Sequence, residues 1–108
     1  MAIPHANPGE AISVRPLGPA LAEARTATLI KAQTREVIRL VVPAGKQIPP
    51  HQVTGEITVQ CMEGRVSFTA CGTTRDLAAG DLLYLPGNET HSLRGVEDAS
   101  VLVTVLLR

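Results

Sequence analysis

Two histidines, His51 and His91, are the side chains through which this chain could do chemistry. Each sits in a stretch punctuated by Gly and Pro: GKQIPPHQVTGEITVQCMEG at 45–64 and GDLLYLPGNETH at 80–91. Imidazole is a ligand for Fe, Mn, Ni, Cu and Zn. It is equally a polar group that, at a pocket mouth, hydrogen-bonds backbone or water. His5 lies in the N-terminal stretch and reads as solvated, and no other side chain reads as a general base. The functional question is therefore what the fold gathers around His51 and His91.

The elements that must position them are short. Runs rich in Val, Ile, Thr and Leu, separated by Gly, Pro or Asp, predict strands at 26–32, 36–42, 56–62, 65–71, 74–77, 82–85, 91–94 and 100–107, the pattern of a β-sandwich or barrel. Pro19 to Arg25 has room for a helical turn or two and is too short for an autonomous helix. Residues 1–12 read as an arm on a single domain spanning 1–108, with a radius of gyration on the order of 13 Å. Gly45, Gly64, Gly80 and Asp81 read as turn formers, and Pro49-Pro50 stiffens the approach to His51.

A two-residue turn at Glu63-Gly64 predicts a hairpin in which Cys61 opposes Val66, Val59 opposes Phe68 and Ile57 opposes Ala70. Ile57, Val59, Cys61, Val66, Phe68 and Ala70 then share an inward face, and Glu56, Thr58, Gln60, Arg65, Ser67 and Thr69 point outward. The same phase carries Val53 and His51 inward unless a bulge at Thr54-Gly55 resets it. In that register Cys71 lies opposite Glu56, roughly 17 Å from Cys61 and beyond the reach of a disulfide.

Composition narrows the partners. Ten basic and ten acidic residues cancel, which removes the electrostatic footprint of a nucleic-acid or membrane-surface binder. One Tyr, one Phe and no Trp leave few stacking platforms for single strands. No signal-peptide pattern opens the sequence and no apolar run is long enough to span a membrane, so a cytoplasmic protein is expected. A small-molecule ligand or a partner protein remains. The final strand, SVLVTVLLR, is apolar on both faces, with Val101, Val103, Val105 and Leu107 on one and Leu102 and Leu106 on the other. A strand of that kind is covered on both sides. A barrel of this length has no second layer of its own to spare, so a homodimer is expected.

The two stretches resemble the paired motifs of the cupin family, G(X)5HXH(X)3,4E(X)6G and G(X)5PXG(X)2H(X)3N. Gly45, His51 and Gly64 match the first, and Gly80, Pro86 and His91 the second. The resemblance covers residues 45–95 and implies an all-β, double-stranded β-helix or jelly-roll barrel of the small, single-domain, RmlC-like kind. In the family, three histidines and a carboxylate converge inside the barrel on a divalent metal. Here Val53 stands where the second histidine would be, Ile57 where the glutamate would be, Asn88 replaces a glycine and Gly95 the terminal asparagine. The ligands the resemblance implies are thus His51 and His91, with a third from Glu56, Gln52, Cys61 or water.

Val53, Ile57, Val59, Cys61, Phe68 and Tyr84 are expected to line the pocket, Cys61 and Tyr84 also serving as core filling. Two readings follow. One is a barrel that binds a small molecule, with or without a divalent metal at His51 and His91. The other is a metal-dependent enzyme of the dioxygenase, decarboxylase or isomerase type.

Overall fold

The computed structural model describes residues 5–107. After a 3-10 helix at Gly18–Glu23 come nine strands: β1 Ala27–Lys31, β2 Arg35–Val42, β3 Gln47–His51, β4 Ile57–Glu63, β5 Arg65–Ala70, β6 Thr73–Ala78, β7 Leu82–Leu85, β8 His91–Gly95 and β9 Ala99–Leu106. They form two antiparallel sheets, ordered β1-β2-β9-β4-β7 (sheet A) and β3-β8-β5-β6 (sheet B). This is the all-β jelly roll that the sequence predicts. The helical segment is a single short 3-10 element, and no helix among the described residues is long and apolar enough to cross a membrane.

The sheets face each other across one core containing Val42, Ile57, Val59, Cys61, Val66, Phe68, Leu77, Leu85, Leu93, Ala99 and Val101. Alternation along each strand supplies it: β4 buries Ile57, Val59 and Cys61, while Thr58 is exposed. β9 runs between β2 and β4, and its buried or half-buried residues leave none fully exposed. The strand predicted apolar on both faces is thus the centre of a sheet.

The inward faces are as expected, but the pairing is not. β4 and β5 do not form a hairpin: β4 pairs with β7 and β9 in sheet A, and β5 with β6 and β8 in sheet B. The Glu63-Gly64 turn carries the chain from one sheet to the other. Ile57, Val59 and Cys61 therefore meet Val66 and Phe68 across the core, not along a shared ladder. Alternation specifies which side chains turn inward and is silent on whether two inward rows lie side by side or face to face. Gly64 makes the crossing possible, with φ 75° and a hypothetical Cβ only 2.0 Å from the Asp98 carbonyl oxygen. Both cysteines are free, Cys61 buried and Cys71 exposed.

The strand carrying His51 escaped the sequence reading. β3 contains Pro49-Pro50, which argues against a strand, yet it lies at the edge of sheet B, where proline is tolerated. Its register against β8 shifts between Ile48 and His51, so the prolines are absorbed in an irregularity.

The arm is docked where it is described; residues 1–4 of the predicted 1–12 arm lie outside the described residues. The Ala6 N–H donates to the Leu29 carbonyl at 3.0 Å. Further on, a partly buried polar clasp holds residues 13–18 against the outer face of sheet A. Arg39 donates to the carbonyls of Arg15 and Ser13 at 3.0 and 3.4 Å. The Glu63 carboxylate accepts from the Leu17 and Gly18 N–H groups at 2.8 and 3.0 Å and from the Ser100 hydroxyl at 2.6 Å.

Burial works to raise the Glu63 pKa. Hydrogen bonds from Ser100, Leu17 and Gly18 and the charge of Arg39 outweigh it, holding the carboxyl below its usual value of 4.5. A depressed carboxylate stabilises the fold above the unfolded value and loses that contribution as pH falls through the folded one. The stability advantage of the native protein over Glu63→Gln, measured by urea unfolding, is expected to be present at pH 7 and to shrink progressively below pH 4.5. A second expectation concerns the crossing turn. Gly72→Ala, at φ 72° in open space, should cost about 1 kcal/mol, whereas Gly64→Ala should cost a further ~1–3 kcal/mol for its backbone clash, read as a lower urea midpoint.

Candidate functional site

His51 ends β3 and His91 begins β8, and the two are register partners in neighbouring antiparallel strands. Their ring centroids are 4.3 Å apart, with planes inclined at 59°. His91 is buried and lies parallel to Phe68 at 5.8 Å, while His51, on the edge strand, is exposed. The sequence placed these residues together, and the fold does bring them together.

Each ring is oriented by its own backbone. Nδ1 of His51 lies 3.1 Å from the Pro49 carbonyl oxygen, and Nδ1 of His91 lies 3.0 Å from that of Glu89. A carbonyl only accepts, so each neutral ring carries its proton on Nδ1, and Nε2 is left with a lone pair. Both imidazoles thereby become acceptors at Nε2.

They border a cavity of about 150 Å³ between the sheets. Its other walls are Ile38, Leu40, Val53, Ile57, Val59, Phe68, Leu93, Val103 and Val105. The expected lining by Val53, Ile57, Val59 and Phe68 agrees with this. Ile38, Leu40, Leu93, Val103 and Val105 were not singled out from sequence as lining. Beside the cavity, the rim is fastened through main chain: the Asn88 N–H donates to the Val53 carbonyl at 2.7 Å, and a Cβ on Gly87 would sit 2.2 Å from the Thr54 carbonyl oxygen.

Two expected lining residues are elsewhere. Tyr84 is 60% exposed on the outer face of sheet A, because it pairs with Thr58 while its neighbours Leu83 and Leu85 turn inward. Cys61 is fully buried beyond the cavity wall, its thiol 3.5 Å from the Glu63 carbonyl oxygen. Burial foremost pushes its pKa up, the profile of an inert core thiol.

Among the described residues neither Glu56 nor Cys61 joins the histidines in a group that could hold a metal ion. Glu56 is exposed and lines a cleft on the outer side of sheet A. Gln52 is exposed, and its side-chain oxygen accepts from the Thr90 hydroxyl at 3.3 Å. Among the described residues no group of three or more His, Cys, Asp or Glu is placed to hold a metal ion. With Val53 and Ile57 at the remaining positions, the donor set is two imidazole nitrogens. A catalytic metal usually has three protein ligands, and these residues do not fit one.

The model of the cupin domain family matches residues 38–106. Among solved structures, a conserved protein of unknown function from Streptococcus pyogenes aligns over 100% of this chain and 98% of its own at 22% identity and TM-score 0.75. An RmlC-like cupin protein from Desulfovibrio desulfuricans aligns over 96% of each chain at 23% identity and TM-score 0.70. A predicted oxalate decarboxylase from Thermotoga maritima aligns over 77% of this chain and 79% of its own at 23% identity and TM-score 0.69. These likenesses establish the fold. No curated protein matches the sequence.

The backbone tethers make a direct expectation. At pH 8, nitrogen-proton correlation spectra of the imidazoles should show the Nδ1–H tautomer in both His51 and His91; the Nε2–H form in either ring would contradict the acceptor pair.

Proposed function

The chain belongs to the cupin domain family, and we propose that it is a small-molecule-binding barrel whose two histidines receive a hydroxyl or acid group on an otherwise apolar ligand. The observation that carries this reading is the pair of Nδ1-tethered imidazoles on the border of a cavity whose other lining residues are all hydrocarbon. An apolar cavity of ~150 Å³ has room for a benzene-sized molecule. The walls favour the carbon skeleton by desolvation. Leaving a ligand hydroxyl unpaired among them would cost about 1–3 kcal/mol, and the Nε2 lone pairs remove that cost. Selectivity then comes from matching one polar group, as in most small-molecule sites.

The tethers also support a second reading. Ligating histidines are commonly held by a hydrogen bond from the other ring nitrogen, and such tethers at both rings are what a pair of Nε2 ligands for a divalent Fe, Mn, Ni, Cu or Zn would use. Two nitrogens make a loose chelate, which favours the binding module over the metalloenzyme. Free Cys61 and Cys71 agree with a reducing, cytoplasmic setting.

Calorimetric titration with phenol and toluene, which differ by a hydroxyl for a methyl, tests the proposal. Phenol is expected to bind up to about tenfold tighter, the worth of one net hydrogen bond, and the difference should disappear in His51→Ala/His91→Ala. Equal affinities would overturn it. In the same preparation, made without chelator, metal content should be far below one equivalent. A full equivalent lost in the double variant and kept in Glu56→Ala would establish the two-histidine metal site instead.

A further inference from the structure

We infer that residues 10–18 form a strap across the outer face of sheet A that opens ahead of the barrel when the Glu63 carboxylate is neutralised. The segment is anchored beyond both ends. On one side the Ala6 N–H donates to the Leu29 carbonyl at 3.0 Å, and on the other the buried Leu21 lies beside Val41 and Ala99. Gly9 precedes the strap and Gly18 ends it, with φ of 83° and 58° and open space around both. The two places where the chain would swing thus carry no side chain to obstruct it.

Between its anchors the strap has little hydrocarbon to hold it. Ser13, Arg15, Pro16 and Gly18 are exposed, while Ile12, Val14 and Leu17 are only half-buried. It stands off β4, leaving an open cleft of about 420 Å³ lined by residues 11–15 and Met62. Among the described residues no main-chain hydrogen bond joins it to a strand. What holds it is the clasp, in which side chains of the sheet grip the strap's backbone. Glu63 accepts from the Leu17 and Gly18 N–H groups, and Arg39 donates to the Ser13 and Arg15 carbonyls. A segment with few buried apolar contacts and exposed hydrogen bonds opens at a fraction of the global cost.

The carboxylate is the member of the clasp that can be switched. Protonation weakens its bonds from Leu17, Gly18 and Ser100 and leaves the buried Arg39 guanidinium without its counter-charge. The groups around it are Arg39 on β2, Ser100 on β9 and Cys61 on β4, with Asp81 beyond Cys61; Arg15 on the strap takes part through its carbonyl. Burial foremost raises the Cys61 pKa, so that thiol adds no charge at neutral pH. Burial also raises that of Glu63, but the hydrogen bonds and Arg39 hold it below 4.5. The latch is therefore closed at neutral pH and released as pH falls through the depressed value. Opening uncovers Arg39, Met62 and Ser100 on the sheet face.

Amide hydrogen exchange of the whole chain tests this. At pH 7 the amides of Leu17 and Gly18, corrected for intrinsic rates, should exchange at least about a hundredfold faster than those of the central strand β9. Low urea should leave them unaffected, because little surface is exposed by the opening. Glu63→Gln should speed them at least about tenfold further, since hydrogen bonds to an ionised acceptor are roughly twice as strong as neutral ones. In the native chain titrated from pH 7 to pH 2, backbone relaxation should show residues 10–18 turning mobile in one step below pH 4.5 while β9 stays rigid. Exchange of Leu17 and Gly18 at the rate of β9 would mean that the strap leaves only with the barrel, and would overturn the inference. Unchanged exchange in Glu63→Gln would do the same. Should that variant fail to fold, the native titration decides: a strap that stays rigid, or a barrel that unfolds together with it, overturns the inference.

Discussion

The whole molecule depends on each sheet turning an alternating row of apolar side chains toward the other. Two sheets held face to face by those inward rows make the core, and the space left between them is the cavity. Its chemistry follows from the same rule. Val53 and Ile57 are on inward phases, so hydrocarbon occupies positions from which polar atoms could have reached the imidazoles. Glu56 is on an outward phase, so its carboxylate serves the surface. A carboxylate one residue out of phase is as remote from the cavity as one on another strand.

Polar groups in such an interior need partners, and the two histidines show how local backbone can supply them. Each ring uses the carbonyl two residues before it, so neither needs another side chain to set its tautomer. The resulting pair turns both Nδ1 atoms to main chain. The clasp at the other end solves a different problem, since Arg39 and Glu63 are brought close to apolar surroundings and are satisfied by main-chain groups of residues 13–18 together with Ser100. Charge burial of this type is costly unless fully hydrogen-bonded, which ties the arm's position to the fold.

Much of this was legible in the sequence because its physics is periodic. The inward rows of β4 and β5 could be read from alternation, and the approach of His51 to His91 from the paired motifs. What escaped was information of other kinds. The partners of β4 and β5 depend on long-range topology, which the Glu63-Gly64 turn does not disclose. β3 was hidden by Pro49-Pro50, whose propensity argues against a strand unless its edge position is known. Tyr84 was drawn inward by the apolar run around it, where pairing to Thr58 sets its true direction. The Nδ1 tethers and the Glu63 clasp depend on backbone geometry that no residue pattern marks.

The prolines of β3 have a further consequence, for solubility. A sheet with free edges invites another strand to add laterally, the route to β-aggregation. Here each edge is blunted by a different means. β3 lacks N–H groups at Pro49 and Pro50, and β6 exposes Arg75 and Asp76. β1 receives a hydrogen bond from Ala6, and β7 is only four residues long. Main-chain growth at the margins is thereby discouraged, and encounters between molecules are directed to the sheet faces, where side chains decide which contacts persist.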